Sequence, residues 1–116
     1  MNSLSSIAFR VRKNEVEKGF DEGLDLRSFP VVSMKIMLIV TELAEAVEDL
    51  RVDGVDGIEL PKTNADGKPV GFGSEIADAI IRCLTLAESL KIDIQNEVLR
   101  KHAFNMTRPK MHGKKF

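Results

Sequence analysis

Apolar residues recur along this chain at intervals of three and four, in separate blocks, which is the period of helices that turn one face to a core. The clearest block places Ile36, Ile39, Val40, Leu43, Val47 and Leu50 on one repeat and predicts a helix opened by Pro30 or Ser33 and running to Arg51. A second block, Ile76, Ala79, Ile80, Cys83, Ala87 and Leu90, predicts a helix capped by Ser74. Ile81 and Leu84 broaden its face, so this helix is expected either at the centre of the fold or against another subunit. Ser3, or Ser5 with Ser6, is expected to cap a first helix carrying Ile7, Val11 and Val16 as far as Lys18, with Gly19 and Gly23 ending it. After a break at 91–93, a fourth helix is expected from Ile94 to Met106, stopped by Arg108-Pro109 because proline disfavours helix in its predecessor.

Residues 52–73 break the pattern. They carry five glycines and two prolines, and Asn64-Ala65-Asp66-Gly67 is a turn signal between the short segments 58–60 and 68–70. A long loop or small irregular hairpin is expected there, and loops of this length are commonly functional or mobile. No internal repeat or low-complexity tract is present. The reading is a single all-α domain over residues 1–116, a four-helix bundle with a long irregular loop between its second and third helices.

Composition narrows the function classes. Lys plus Arg number 17 and Asp plus Glu 18, a balance that gives no general attraction to nucleic acid or anionic membrane. The longest apolar run, residues 36–40, is far short of the roughly 18 residues a bilayer requires. The N-terminus lacks the basic flank and apolar run of a secretory signal, and the one cysteine, Cys83, cannot form an internal disulfide. The cytoplasm is therefore the expected compartment. Cys83 lies among apolar neighbours and is expected to pack as a small hydrophobe. A domain of 116 residues buries a limited share of its surface, so self-association is expected to help it.

Chemistry concentrates in carboxylates. Glu42 and Glu45 are three residues apart and share one side of the second helix, with Asp49 one turn further; Glu75 and Asp78 repeat the arrangement on the third, with Arg82 one turn beyond. One such pair is ordinarily a solvated helix face. Two pairs embedded in apolar sequence on successive helices are expected to border the core, where like charges repel and lose hydration unless cations compensate them. Oxygen ligands of this kind suit Mg2+ or Mn2+. On the fourth helix Lys101, Asn105 and Arg108 can line one face and supply donors to a metal-bound polyphosphate. His102 and His112 have no histidine or cysteine one turn away and are read as structural or surface residues.

These residues resemble a known family. Lys35-Ile-Met-Leu-Ile-Val-Thr-Glu42-Leu-Ala-Glu45-Ala, followed by Gly71-Phe-Gly-Ser-Glu75-Ile-Ala-Asp78-Ala-Ile-Ile-Arg82, resembles the ExxE…ExxD signature of MazG-like, all-α nucleoside triphosphate pyrophosphohydrolases. The ending Lys101-His-Ala-Phe-Asn105-Met-Thr-Arg108-Pro109-Lys-Met-His112-Gly113 is similar to that family's C-terminal motif, and Asn14-Glu-Val-Glu-Lys18-Gly19-Phe20 to the first helix of its short members. The resemblance implies Mg2+, with Mn2+ able to substitute, on Glu42, Glu45, Glu75 and Asp78, and hydrolysis of a (deoxy)nucleoside triphosphate to the monophosphate and pyrophosphate. It implies substrate contacts from Lys101, Asn105 and Arg108, and from Asn14 and Lys18, and homodimers or homotetramers whose subunits complete each other's sites. The likeness leaves out the 52–70 loop. With no Trp or Tyr in the chain, base stacking would fall to Phe20, Phe29, Phe72 or Phe104, for each of which core packing is the simpler role.

In such a site one carboxylate accepts the proton of the attacking water, and Glu42 and Glu45 are both candidates. A di-iron carboxylate bundle is the nearest rival, but it uses Glu-x-x-His where this chain has Glu-x-x-Asp. The alternative from another class is a helical interaction or nucleic-acid-binding module using the basic C-terminal tail, against which the near-neutral charge counts.

Overall fold

The computed structural model describes residues 2–113, with only the backbone of 112 and 113 included, so the basic tail's Lys114, Lys115 and Phe116 and the side chain of His112 lie outside the described residues. Four helices and a two-stranded hairpin make up the described chain: α1 (Leu4–Glu17), α2 (Phe29–Asp53), β1 (Lys62–Thr63), β2 (Pro69–Val70), α3 (Phe72–Ser89) and α4 (Ile94–Met106), with a final 3-10 turn at Lys110–Gly113. The all-α expectation holds, and none of the described helices is long and apolar enough to cross a membrane.

Side-chain caps set three of the helix starts. Ser3 accepts from the Ser6 amide at 3.1 Å, Ser28 from that of Val31 at 3.4 Å, and Asp93 from that of Asn96 at 3.0 Å, each covering a donor that the first turn leaves unpaired. The cap of α2 is thus Ser28, ahead of the expected Pro30 or Ser33, and Pro30 sits in the first turn where its missing N–H costs nothing. The third helix also departs from expectation. It begins at Phe72 rather than under a Ser74 cap, because Gly71 takes a φ of +96° that turns the strand directly into the helix, and the Ser74 hydroxyl donates to the Pro69 carbonyl at 3.2 Å instead.

The irregular segment resolves into a hairpin in which Lys62 pairs with Val70 and Thr63 with Pro69. Its turn is the expected one: Asn64 Oδ1 accepts from the amides of Asp66 at 2.9 Å and Lys68 at 3.0 Å, an Asx turn closed by Gly67 at a φ of +81°. The expected short segment at 58–60 is not a strand, and forms successive tight turns.

Helix α3 is central, packing along α2 and α1, while α4 rests more lightly on α1 and α3. The Gln95 side chain of α4 accepts from the Ser5 amide at 3.0 Å, which ties α4 to the start of α1. The buried apolar residues are Leu84 and four alanines, Ala8, Ala46, Ala79 and Ala87, the alanines small enough to let backbones approach closely. No large side chain among the described residues is fully buried. The accessible surface is 8896 Å2, against about 6,300 Å2 for a compact monomer of 12.9 kDa. The radius of gyration is likewise 16.7 Å, against about 13 Å for a compact chain of this length.

Helix register decides two positions. Cys83 is exposed, so in the single chain it does not pack among the neighbours that surround it in sequence. Ile81, three residues after Asp78, shares that residue's side of α3 and lines the same cleft.

Candidate functional site

The two acidic pairs meet because α2 and α3 pack along each other, with Ala46 and Ala79 buried on the two helices. Carboxylate oxygens of Glu42, Glu75 and Asp78 all lie within 4.8 Å of one another. Glu42 is buried, Glu75 half-buried, and Asp78 and Glu45 exposed at the edge of the cluster.

These carboxylates are not electrostatically equivalent. Arg82 donates from Nε to Glu42 Oε1 at 2.9 Å, and this bond holds the Glu42 carboxyl below the usual range although burial opposes ionisation. Glu75 has no such partner. Its partial burial, followed by the facing carboxylates of Glu45 and Glu42, pushes it up to about 7, so near neutral pH it carries about half a proton. A group of acids in which one is driven towards protonation lacks positive charge, and a divalent cation would supply it. Octahedral Mg2+ bonds at about 2.0–2.1 Å place its ligand oxygens no more than about 4.2 Å apart. The cluster's all-oxygen donor set suits Mg2+ or Mn2+ and offers no histidine for an iron site.

Beside the cluster a cleft of about 610 Å3 opens between α1, α2 and α3. Glu42, Asp78 and Glu15 line it with carboxylates, and Arg10, Asn14, Lys35 and Arg82 provide nitrogen donors around it, with Phe20 and Ile81 as apolar surface. Lys35 is positioned from below by Asp21, which also pairs with Arg12 at 2.6 Å. Burial opposes ionisation of Asp21, but hydrogen bonds from Lys35 and Arg12 outweigh it and keep this carboxyl below its ordinary range. Acidic and basic groups therefore line the same cleft, with Arg82 bonded to Glu42 and Glu15 beside Lys35. Such a surface can hold a metal-complexed polyanion, with the metal at the acids and free phosphate oxygens at the bases.

Of the substrate contacts expected from the sequence, Asn14 lines this cleft. Lys18, Lys101, Asn105 and Arg108 do not line it within one chain. Lys101 and Arg108 instead flank the Phe104 ring, at 5.6 and 5.7 Å from its centroid, and between them Asn105 holds a buried Oδ1 without a hydrogen-bond partner. Arg10, Lys35 and Arg82 were not anticipated as cleft cations. The helical spacing that puts Arg82 one turn after Asp78 also puts Arg10 one turn before Asn14, and so carries the signal for both.

Comparison of the chain with protein-family models, with curated proteins and with solved structures finds no match.

Proposed function

We propose that the chain hydrolyses nucleoside triphosphates to the monophosphate and pyrophosphate, as a MazG-like pyrophosphohydrolase of the all-α type. The observation that carries this reading is the cleft and the cluster at its edge: Glu42 and Asp78, gathered with Glu75 into one group of carboxylates, share the opening with Arg10, Lys35 and Arg82. A nucleic-acid-binding surface has no reason to gather the acids.

Glu42, Glu75 and Asp78 would hold Mg2+, with Glu45 at the rim. The ion supplies charge neutralisation for the triphosphate and a bound water of lowered pKa. Arg10, Lys35 and Arg82 bind and orient the phosphate oxygens, keeping the α-phosphorus over the carboxylates. Water attacks that phosphorus, pyrophosphate departs, and one carboxylate takes the water's proton. Glu42 is a poor base because Arg82 stabilises its ionised form, whereas exposed Glu45 stands outside the tight ligand set and faces Glu75. Glu45 is therefore the general base.

The active form would be a dimer or tetramer. Its support is the extended shape and the accessible surface, about 2,600 Å2 above that of a compact monomer. In such an assembly α4 of a second copy would bring Lys101, Asn105 and Arg108 to the cleft.

The deciding experiment incubates the purified chain with each nucleoside triphosphate and Mg2+ and identifies products. Monophosphate and pyrophosphate in equal amounts, abolished by chelation, are expected. Diphosphate with orthophosphate, or no turnover with any triphosphate, overturns the proposal.

A further inference from the structure

A second, more enclosed cavity of about 290 Å3 lies on the other side of the acidic cluster, between the end of α2, the hairpin and the start of α3. Its walls are largely apolar, built from Ile58, Leu60, Pro61, Val70 and Phe72. Its polar groups are mostly carboxylates: Asp49, Asp53, Asp56 and Glu59 line it with a single ammonium, Lys62, which Asp53 already engages at 2.9 Å. Phosphate is repelled from such a place. A neutral ring that brings N–H donors is not, and the volume is at the lower end of ligand pockets, suited to a ring rather than a whole nucleotide.

Asp49 gives the cavity a preference. Its Oδ2 is shielded from solvent and has no hydrogen-bond partner, an arrangement that native structures seldom leave unanswered. An ionised carboxylate only accepts hydrogen bonds, so what answers it is a donor. Asp49 is one turn past Glu45, about 6 Å along α2, a step of the same order as the ribose between an α-phosphate and its base. On the α3 side Phe72 and Ser74 of the cavity lead directly into Glu75.

We infer that the hairpin cavity is the base subsite, and that Asp49 faces the exocyclic position of the base and selects an amino group there over a carbonyl. The inference rests on the triphosphate-hydrolase reading and gives the substrate a direction: triphosphate in the cationic cleft by α1, base under the hairpin, carboxylates between. A carbonyl oxygen facing Asp49 finds repulsion, and an amino group finds an acceptor.

The test compares CTP with UTP, two substrates whose exocyclic 4-position is an amino group in one and a carbonyl in the other, in the wild-type protein, in Asp49→Asn and in the cavity-filling Val70→Phe. Wild type is expected to favour CTP in kcat/KM by roughly ten- to a hundredfold, the range for a hydrogen bond to a charged acceptor. Asp49→Asn, whose amide can donate to a carbonyl, narrows or inverts that ratio. Val70→Phe weakens both nucleotides while inorganic triphosphate, which has no base, inhibits all three proteins with similar constants; that control shows that the cleft is intact in the variants. Equal use of CTP and UTP by wild type, or an unchanged ratio in Asp49→Asn, overturns the inference and leaves the hydrolase reading standing. Absence of turnover with any triphosphate removes that reading instead.

Discussion

Arg82 and Glu42 join the two acidic helices by one hydrogen bond, Nε to Oε1 at 2.9 Å, and the arginine keeps its place at the cleft mouth with 42% of its side chain exposed. The pair does two things at once. It holds a buried carboxylate ionised beside other acids, and it presents the remaining guanidinium donors to whatever anion enters the cleft.

Arg82→Gln separates those roles from stability. A partly exposed ion pair contributes about 1 kcal/mol or less, so the thermal midpoint should shift by only a few degrees. Loss of a charged phosphate donor should lower kcat/KM by roughly tenfold or more. Arg82→Lys should recover part of this, since it keeps the charge but not the fork of donors. Unchanged kcat/KM in Arg82→Gln would remove Arg82 from the phosphate-binding wall.

Ligand and base should be separable by two near-isosteric changes. Asp78→Asn replaces a charged oxygen ligand with a poorer one and should abolish both Mn2+ binding, followed by calorimetry, and hydrolysis. Glu45→Gln should abolish hydrolysis while Mn2+ still binds within a few fold of wild type. Both should keep the helical circular-dichroism signal, and relief of repulsion should leave them no less stable than wild type without metal. If Glu45→Gln loses metal as Asp78→Asn does, Glu45 is a ligand and the base lies elsewhere.

The raised carboxyl of Glu75 makes metal-free stability depend on pH in a stated direction. Its folded value of about 7 lies above its ordinary 4.5, so between these values the folded protein binds more protons than the unfolded chain. The stabilisation is fully present below about 4.5 and is lost as pH rises through about 7. Without divalent metal, the denaturation midpoint should therefore fall between about pH 5 and pH 8, and Glu75→Gln should flatten that slope. Mg2+ affinity should move the other way, tightening as pH rises because the ion displaces the proton. A metal-free midpoint that rises over this interval in wild type contradicts the picture of crowded acids.

The helices were legible because their periodicity is strong, and the acidic pairs because an i, i+3 spacing needs no tertiary knowledge to put two carboxylates on one face. What periodicity cannot supply is which side of a helix meets which neighbour. Ile81 broadens the apolar face of α3 in the sequence, yet its spacing from Asp78 puts it on the acids' side, and the structure places it in the cleft. Cys83 was expected to pack, but a broad apolar face does not say which part of it the same chain covers. The Asp21 network behind Lys35 depends on a non-glycine residue at a φ of 70°, which no composition signal announces. The hairpin cavity depends on Gly71, where a Cβ would come within 3.2 Å of the Lys62 side chain, and so on a contact between two elements.

The same limit bears on assembly, where the α2 surface makes the sharpest prediction. Ile36, Val40, Leu43 and Val47 follow at i, i+4, i+7 and i+11, and form one stripe, each 46–52% exposed. Glu42 lies about 200° round the helix from Val40, so a charge at 40 does not touch the site. Four aliphatic side chains each contribute on the order of 1.5–3 kcal/mol when fully covered, and the surplus surface exceeds the roughly 800 Å2 per partner of a standard interface. A second copy with closed symmetry is the natural cover, and Val40→Glu, which must bury its charge there or leave, should break it. Light scattering should give the wild type a mass at a multiple of 12.9 kDa and Val40→Glu a smaller one. Because α4 of the neighbour would carry Lys101, Asn105 and Arg108 to the cleft, the variant should lose activity at low micromolar concentration and regain part of it as concentration rises. A wild-type monomer with full activity would sink the assembly outright, whereas a Val40→Glu protein of unchanged mass and activity would move the interface to another face.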